Sequence, residues 1–452
     1  NSRMHLDEIV LGAGPAGLGV ASALAEQGKP VVVLEPTDRA GGAVRTRREE
    51  GWTVELGPHT LQLDEEGDSA LIDALGLGAE RREADTAAAR RYIAWNGQLH
   101  ALTGHPASLL RSSLLSMRGK LRLLAETLVP RGGEAGETLL DFTERRLGPE
   151  AADRLLDPMV NGIFAGDPGR LVAEYALPSL VALEREHRSV LLGLARRKGP
   201  PRRVIGFQGG MERLTEAMVA RLPEGALRLG AQPTRLARAP GGGWDIAWRE
   251  LDGSERGARA RQVVVTSPPW TWGTLPFDCP PTALIEEGER VPAPPVALVV
   301  RSYARDRVAH PLDGFGLLAP RGEGRRILGV LFPSSVFPGC CPPGQVLLST
   351  FIGGARSPDL AAGDDAMLGR LVDRELGELL GAQGAPTRQW IARWRRSIPQ
   401  YEHGHARLLA ALDKAEREMP GLRFAGSFRG GVSLMSTLRR GRQLGAEIAQ
   451  RA

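Results

Sequence analysis

The sequence predicts a mixed α/β fold in which one nucleotide-binding domain is assembled from separated parts of the chain. Three observations support this prediction. Residues 8–35 alternate strand-like and helix-like segments around a glycine-rich turn. The same kind of pattern occurs again much later in the chain. It comprises strand-like blocks at 226–270 and a strand, a loop and a helix at 422–449. The chain has 452 residues, too many for one hydrophobic core, so we expect other domains between these parts.

The first element is a strand that leads into the turn Gly12-Ala13-Gly14-Pro15-Ala16-Gly17. An amphipathic stretch to residue 27 follows, and then a second strand that ends at Glu35. The glycines permit a tight turn and let backbone N–H groups approach a pyrophosphate at the helix N-terminus. Glu35 lies where a carboxylate accepts hydrogen bonds from a ribose diol. This order predicts a Rossmann-like dinucleotide site, which alone suits NAD or FAD equally.

A second glycine pair favours FAD, because it wraps more backbone around an extended cofactor. Gly41-Gly42 follows the first unit, and Gly57-Pro58-His59 comes soon after it. Near the end of the chain, Gly426 precedes a loop and a helix-like run to residue 449. The residues expected on these grounds to bind FAD are Gly12, Gly14, Pro15, Ala16, Gly17, Glu35, Arg39, Gly41, Gly42, Arg45, Gly57, Pro58, His59 and Gly426.

The block 93–203 is rich in leucine and poor in β-branched runs, which indicates helices. Within it, residues 106–131 combine leucines at near-helical spacing with basic residues and one acid, Glu126. This pattern suits a membrane interface and an ordinary surface helix that packs its leucines on the core equally well. The leucines are Leu109, Leu110, Leu114, Leu115, Leu121, Leu124 and Leu128, and the basic residues are Arg111, Arg118, Lys120, Arg122 and Arg131.

The remaining elements return to the nucleotide-binding domain and then build a second, mixed domain. A helix opens after Gly210, and later segments read as strands and one helix. The predicted strands are 226–236, 244–248, 262–266, 296–300, 327–331 and 346–352, and the predicted helix is 366–380. We assign 1–67, 204–270 and 402–452 to the nucleotide-binding domain, 68–92 and 271–401 to a mixed-sheet substrate domain, and 93–203 to a helical domain.

The composition excludes several classes of protein. Hydrophobic residues make up 42% of the chain and no apolar run is long enough to span a bilayer. The net charge is +5, but aromatic residues are only 5%, with no basic–aromatic interleaving, so we expect no nucleic-acid partner. Three cysteines and no visible signal peptide predict a cytoplasmic protein, and no metal-ligand spacing is present.

With these elements in order, the chain resembles the protoporphyrinogen oxidase family of the amine-oxidase-like flavoproteins. The resemblance covers nearly the whole sequence and is carried by short motifs that occur at matching intervals. Those motifs are Arg91-Tyr92-Ile93, Arg146-Leu147-Gly148-Pro149-Glu150, Gly162-Ile163-Phe164-Ala165-Gly166-Asp167, Glu186-His187-Arg188-Ser189, Gly314-Phe315-Gly316, Ile352-Gly353-Gly354 and Ile398-Pro399-Gln400-Tyr401.

The resemblance implies a reaction and a site. A porphyrinogen loses six electrons to become a porphyrin, over three flavin cycles, with oxygen as the acceptor. Arg91 matches the arginine that meets a substrate propionate, so its neighbour Arg90 is expected to face solvent. The other implied substrate residues are Asn161, Gly162, Phe315, Gly316, Leu318 and Phe351. Further implied FAD contacts are Thr234, Ser267, Ser427, Val432, Ser433 and Leu434.

The resemblance also favours peripheral contact of residues 106–131 with the inner face of the cytoplasmic membrane, and a homodimer. Two departures from the family pattern raise alternatives. His59 stands where the family usually has asparagine, and Ser433 replaces a glycine, which would add strain if that position needs positive φ. Coproporphyrinogen III is the alternative substrate. An amine or natural-product oxidase, and a porphyrin-binding paralogue without the activity, are the alternative functions.

Overall fold

The computed structural model describes residues 4–103, 106–196 and 203–451, and within them it confirms the mixed α/β prediction. The strands are β1 (Met4–Leu11), β2 (Val31–Glu35), β3 (Thr46–Glu49), β4 (Trp52–Glu55), β5 (Leu61–Leu63), β6 (Arg81–Glu83), β7 (Arg91–Trp95), β8 (Gln98–Leu102), β9 (Arg203–Phe207), β10 (Leu227–Leu229), β11 (Gln232–Arg238), β12 (Trp244–Arg249), β13 (Glu255–Val265), β14 (Val296–Ala304), β15 (Gly316–Leu318), β16 (Gly329–Leu331), β17 (Gln345–Gly353), β18 (Arg388–Trp394) and β19 (Leu422–Phe424).

Helices surround these strands, and a π-helical turn at Ala152–Leu156 interrupts one helical region. The α-helices are α1 (Pro15–Glu26), α2 (Asp68–Ala74), α3 (Pro106–Arg111), α4 (Met117–Leu124), α5 (Leu139–Leu147), α6 (Pro149–Ala151), α7 (Asp157–Phe164), α8 (Ala173–Ala176), α9 (Pro178–His187), α10 (Val190–Arg196), α11 (Glu212–Val219), α12 (Thr282–Glu289), α13 (Pro333–Val336), α14 (Pro358–Ala361), α15 (Asp365–Leu380), α16 (His405–Glu418) and α17 (Leu434–Arg451).

The first sheet joins all three segments assigned to the nucleotide-binding domain. Its order is β10-β2-β1-β13-β12-β11, and β19 pairs with the C-terminal end of β13. Strands β10, β2, β1, β13 and β19 are parallel, so their carboxyl ends meet at one edge. Helix α17 packs very closely on α1, since a Cβ at Gly441 would lie 2.3 Å from the Ala16 carbonyl oxygen. The end of the chain is thereby placed beside its beginning.

The second sheet has the order β18-β14-β17-β16-β15-β7-β8. Helix α15 covers one of its faces with a cluster of buried aliphatic residues. The other face packs partly against Trp52, Val54 and Leu56 of the β3–β4 hairpin region. Strand β8 belongs to this sheet, so the sheet continues to Leu102, beyond the boundary drawn at residue 92.

Two local features differ from simple readings of the pattern. The strand predicted over 226–236 is interrupted by a turn at Gly230, whose φ of 67° is left-handed, and becomes β10 and β11. The acid of the basic segment, Glu126, is fully buried against Arg146, which is also fully buried.

Among the described residues, no helix combines the length and the apolarity needed to cross a bilayer.

Candidate active site

The glycine turn after β1 forms an open cradle for a pyrophosphate. Gly12 has a left-handed φ of 107°, and a Cβ at Gly17 would lie 1.9 Å from the Gly12 carbonyl oxygen, so neither position tolerates a side chain. Gly14 differs, because its nearest neighbour to an added Cβ is the Gly42 Cα at 3.8 Å. The space in front of Gly14 at the N-terminus of α1 is therefore free of protein atoms, as an anion site there requires.

Glu35 fixes the shape of this turn from the end of β2. Its carboxylate accepts hydrogen bonds from the Ala13 N–H at 2.9 Å, the Thr37 N–H at 3.0 Å and the Thr37 hydroxyl at 2.7 Å. The Ala231 N–H also donates to the Glu35 carbonyl oxygen, which brings the start of β11 to the same place. Thr234, one of the implied FAD contacts, lies in a β-bulge of that strand.

The second glycine pair is held by Arg39. The Arg39 guanidinium donates to the carbonyl oxygens of Val44 at 2.6 Å and Gly42 at 3.0 Å, and it pairs with Glu212 at 2.9 Å. These contacts use the guanidinium to shape the turn rather than leaving it free for a phosphate. Arg45, by contrast, is exposed, and its side chain makes no hydrogen bond or ion pair with the described residues.

Ser267 supplies an observation that fits a bound cofactor. It follows β13 directly, and its N–H lies 3.6 Å from a Cβ placed on Gly12. The Ser267 hydroxyl is shielded from solvent yet has no hydrogen-bond partner in the described parts of the chain. A buried hydroxyl without a partner is costly, and a phosphate oxygen at the cradle would satisfy it.

The C-terminal loop is anchored by a residue that sequence reasoning did not assign, Tyr401. Its hydroxyl donates to the Ser427 carbonyl oxygen at 2.5 Å and accepts from the Gly431 N–H at 3.0 Å. Ser433 does not adopt positive φ, so the anticipated strain is absent. Its hydroxyl instead accepts a hydrogen bond from the Ser436 N–H at 3.1 Å, as a serine at a helix N-cap does.

Removing the Tyr401 hydroxyl should loosen this loop. We expect Tyr401→Phe to fold, because the ring keeps its packing, but to bind FAD about tenfold more weakly after losing two hydrogen bonds. Fluorescence titration of the stripped protein with FAD measures the change. Tyr175→Phe is the matched control, since Tyr175 also packs against His405 but makes no contact with the loop. An FAD affinity equal to that of the wild type would contradict this role for Tyr401.

The face of the second sheet opposite α15 carries a row of apolar residues, which we call the slot. Leu318 pairs with Gly329, and Gly329 pairs with Phe351, so the three residues are aligned across β15, β16 and β17 on one face. The Leu318 side chain lies over the glycine between them, because a Cβ at Gly329 would lie 2.9 Å from Leu318 Cδ2. Gly162 on α7 also borders Leu318, because a Cβ there would lie 3.4 Å from that atom. The slot is therefore a row of apolar side chains, a surface that suits a flat, apolar ligand.

Arg91 lies at one end of the slot. It is two residues before Ile93, which pairs with Leu318, so Arg91 points to the same face. Arg91 is exposed as a residue, its guanidinium stacks over the Phe315 ring at 4.8 Å, and it has no carboxylate partner in the described chain. Partial burial lowers the pKa of this guanidinium. Arg90 is not merely solvated as expected, because it pairs with Asp313.

Two further predicted substrate residues are placed by the backbone. Gly316 has a φ of 154°, and a Cβ there would lie 2.3 Å from the Val330 carbonyl oxygen, so only glycine allows the close strand pairing beside Arg91. Asn161 is buried and its side-chain amide donates to Asp157 at 3.3 Å. Asp157 in turn pairs with Arg356 at 2.9 Å, so Asn161 lies beside the ion pair that joins α7 to the turn after β17.

Glu55 is a second residue that sequence reasoning missed. Its carboxylate accepts hydrogen bonds from the Met211 N–H and the Thr46 hydroxyl, both at 2.8 Å, and burial raises its pKa to about 7. It lines a cavity of about 50 Å³ that also includes His59 and Phe315. Glu55 lies two residues before Gly57, and this proximity is the sequence signal that could have identified it. Its partner Met211, just before α11, is distant in sequence.

Comparisons with known proteins agree with this geometry. Residues 15–442 match the flavin containing amine oxidoreductase family. The mitochondrial protoporphyrinogen oxidase of Nicotiana tabacum is 33% identical, over 96% of this chain and 92% of the relative. The protoporphyrinogen oxidase of Bos taurus is 30% identical, over 97% of this chain and 98% of the relative. A candidate protoporphyrinogen oxidase from Exiguobacterium sp. 255-15 has the same fold, with a TM-score of 0.83 at 22% identity and full coverage of both chains.

The fold and the cradle thus define an FAD-dependent oxidoreductase of the flavin-containing amine oxidoreductase family. Within that family, the chain belongs to the protoporphyrinogen oxidases, as the near-full-length matches show. The residues present fit FAD, because an open glycine turn, a buried hydroxyl without a partner in the described chain and the acid at the end of β2 converge on one edge of the first sheet.

Proposed function

We propose that this protein oxidises protoporphyrinogen IX to protoporphyrin IX with molecular oxygen as the electron acceptor. The observation that carries the proposal is Arg91, a guanidinium without a carboxylate partner at the end of an apolar slot. Its planar fork can donate two charge-assisted hydrogen bonds to a propionate. A flat macrocycle with carboxylate arms matches both parts of the site.

Each wall of the slot contributes a defined part of substrate binding. Leu318 and Phe351 pack against the apolar macrocycle, and Gly162 lets α7 approach Leu318 closely. Arg91 fixes the direction in which the substrate enters. FAD, when bound, supplies the two-electron acceptor and the route to oxygen. The protein therefore needs to orient the substrate and exclude bulk water, and no nucleophile is required.

An aerobic assay tests the proposal. Porphyrin fluorescence and oxygen consumption are followed together for protoporphyrinogen IX and, separately, for coproporphyrinogen III. We expect three oxygen molecules to be consumed per porphyrin, with the faster rate for protoporphyrinogen IX. A faster rate for coproporphyrinogen III would reassign the substrate. Amine oxidation without porphyrin formation, or porphyrin binding without turnover, would favour the two alternative functions.

We also propose that the α4 region docks on the inner face of the cytoplasmic membrane. Met117, Leu121, Leu124 and Leu128 recur at helical spacing and expose 70%, 63%, 53% and 81% of their surface. Leu194 on the neighbouring α10 is 48% exposed, whereas Leu114 and Leu115 earlier in the segment are buried. Exposed apolar residues beside basic ones suit an anionic bilayer surface.

A buried charge pair makes this surface rigid. The Glu126 carboxylate accepts hydrogen bonds from the Val190 N–H at 2.9 Å and the Leu191 N–H at 3.3 Å, and it pairs with Arg146. Glu126 follows α4 directly, and residues 190 and 191 begin α10. The exposed leucines of both helices are therefore held in fixed positions before the protein meets the membrane.

Loss of the exposed leucines should release the protein from lipid. We expect Leu121→Glu/Leu128→Glu to bind vesicles of phosphatidylcholine with phosphatidylglycerol at least about tenfold more weakly, because two side chains lose their apolar burial. Flotation of the FAD-loaded protein measures this. Leu251→Glu is the control, since Leu251 is 83% exposed on a turn of the first sheet. Equal flotation of the double variant and the control would exclude the α4 surface.

A further inference from the structure

His59 joins the cofactor-binding hairpin to the floor of the slot. It is 9% exposed and makes two hydrogen bonds with groups on different elements. One ring nitrogen, Nδ1, is 2.9 Å from the Gly57 carbonyl oxygen in its own segment. The other, Nε2, is 2.9 Å from the Ser349 hydroxyl on β17, which is fully buried.

The partners define the protonation of the ring. A carbonyl oxygen only accepts, so Nδ1 carries the proton and donates to Gly57. Burial lowers the pKa of His59 to about 4, so the ring is neutral near pH 7 and Nε2 accepts from the Ser349 hydroxyl. Both ring nitrogens are therefore engaged by the protein, and neither is available to exchange a proton with substrate.

The same ring contacts the slot residue Phe351. Ser349 and Phe351 are two residues apart on β17 and lie on the same face. The His59 ring meets the Phe351 ring edge-on, with centroids 5.4 Å apart. One side chain thus fixes two distances, from the turn at Gly57 to β17 and from that turn to the Phe351 ring.

We propose that His59 is a positioning residue that sets the width of the substrate slot by clamping residues 57–59 to β17 through Ser349 and Phe351. This inference rests on the proposed function, because the slot is assigned to the porphyrinogen. An asparagine at this position could keep the bond to Gly57, but its shorter side chain could not also reach Ser349 and pack against Phe351. The clamp therefore depends on the imidazole.

The test compares His59→Asn, Ser349→Ala and the double variant, all loaded with FAD. We expect KM for protoporphyrinogen IX and the dissociation constant for protoporphyrin IX to rise about five- to tenfold in each single variant, a larger change than the change in kcat. The double variant should be no worse than His59→Asn, since both changes break one interaction. Additive effects, or a fall in kcat at constant KM, would overturn the clamp.

A second measurement keeps the inference separate from the choice of substrate. Nitrogen-15 NMR of histidine-labelled protein reports the tautomer without any turnover, and His59→Asn identifies the signal among the eight histidines. We expect a neutral ring protonated on Nδ1, with the Nε2 signal shifted in Ser349→Ala. A ring protonated on Nε2 would overturn the clamp even if porphyrinogen is oxidised. The expected signals with no porphyrin oxidation would leave the clamp intact and reject the proposed function.

Discussion

Replacing Gly14 with alanine is expected to abolish FAD retention while leaving the fold intact. A Cβ at Gly14 would have no protein atom closer than the Gly42 Cα at 3.8 Å, and Gly14 has an extended backbone that alanine adopts freely. The methyl group would therefore occupy the cradle rather than the core. We expect FAD affinity to fall at least about 100-fold, because backbone N–H groups could no longer approach a pyrophosphate.

Substitutions at two other glycines distinguish a loss of FAD binding from a loss of folding stability. Gly132→Ala should change neither stability nor FAD content, since an added Cβ there has open space. Gly17→Ala should lower the melting temperature as well as FAD content, because its Cβ would lie 1.9 Å from the Gly12 carbonyl oxygen. The measurements are the flavin absorbance per protein and the thermal midpoint of the apoprotein. A Gly14→Ala protein that keeps full FAD content would place the cofactor elsewhere.

Arg91→Ala is expected to raise KM for protoporphyrinogen IX by about 10- to 100-fold, which corresponds to about 1.5–3 kcal/mol for a hydrogen-bonded charge. The guanidinium makes no ion pair with the described residues, so its removal should not disturb the fold. FAD content and the melting temperature should remain at wild-type values. Steady-state kinetics with porphyrin fluorescence as the signal give the ratio directly.

Arg90 provides the control for this prediction. It is adjacent in sequence but faces the opposite side of the strand and pairs with Asp313, so Arg90→Ala should leave KM nearly unchanged. Arg91→Lys should give an intermediate KM, because an ammonium keeps the charge but loses the planar fork. If Arg91→Ala and Arg90→Ala have equal KM values, Arg91 does not bind the substrate.

The sequence was sufficient to predict the first sheet and its cofactor edge, because local features define them. Gly12, Gly17 and Glu35 lie in one short strand–turn–helix–strand unit. The structure explains Gly12 by its left-handed φ, and Gly17 and Glu35 by contacts inside that unit. The family resemblance predicted Arg91 and Leu318 as substrate residues, and the structure brings both to one face of the second sheet. Strand alternation then places Arg90 and Arg91 on opposite faces.

Contacts between distant segments could not be predicted in this way. Glu55 and Tyr401 act through partners on α11 and in the C-terminal loop, and no local pattern reveals such partners. Arg39 was expected to contact FAD from its place near the second glycine pair, and the structure shows that its guanidinium holds that turn together. Ser433 was expected to add strain if its position needed positive φ, but in the structure it caps helix α17.

Anaerobic mixing of the FAD-loaded protein with protoporphyrinogen IX tests the central claim most directly. Flavin absorbance is followed first without oxygen, and porphyrin fluorescence is followed after air is admitted. In the wild type, we expect the flavin absorbance to bleach on mixing and to recover with air as porphyrin appears. In Arg91→Ala, we expect the bleaching to be much slower at low substrate concentration. A flavin that stays oxidised with protoporphyrinogen IX would contradict it.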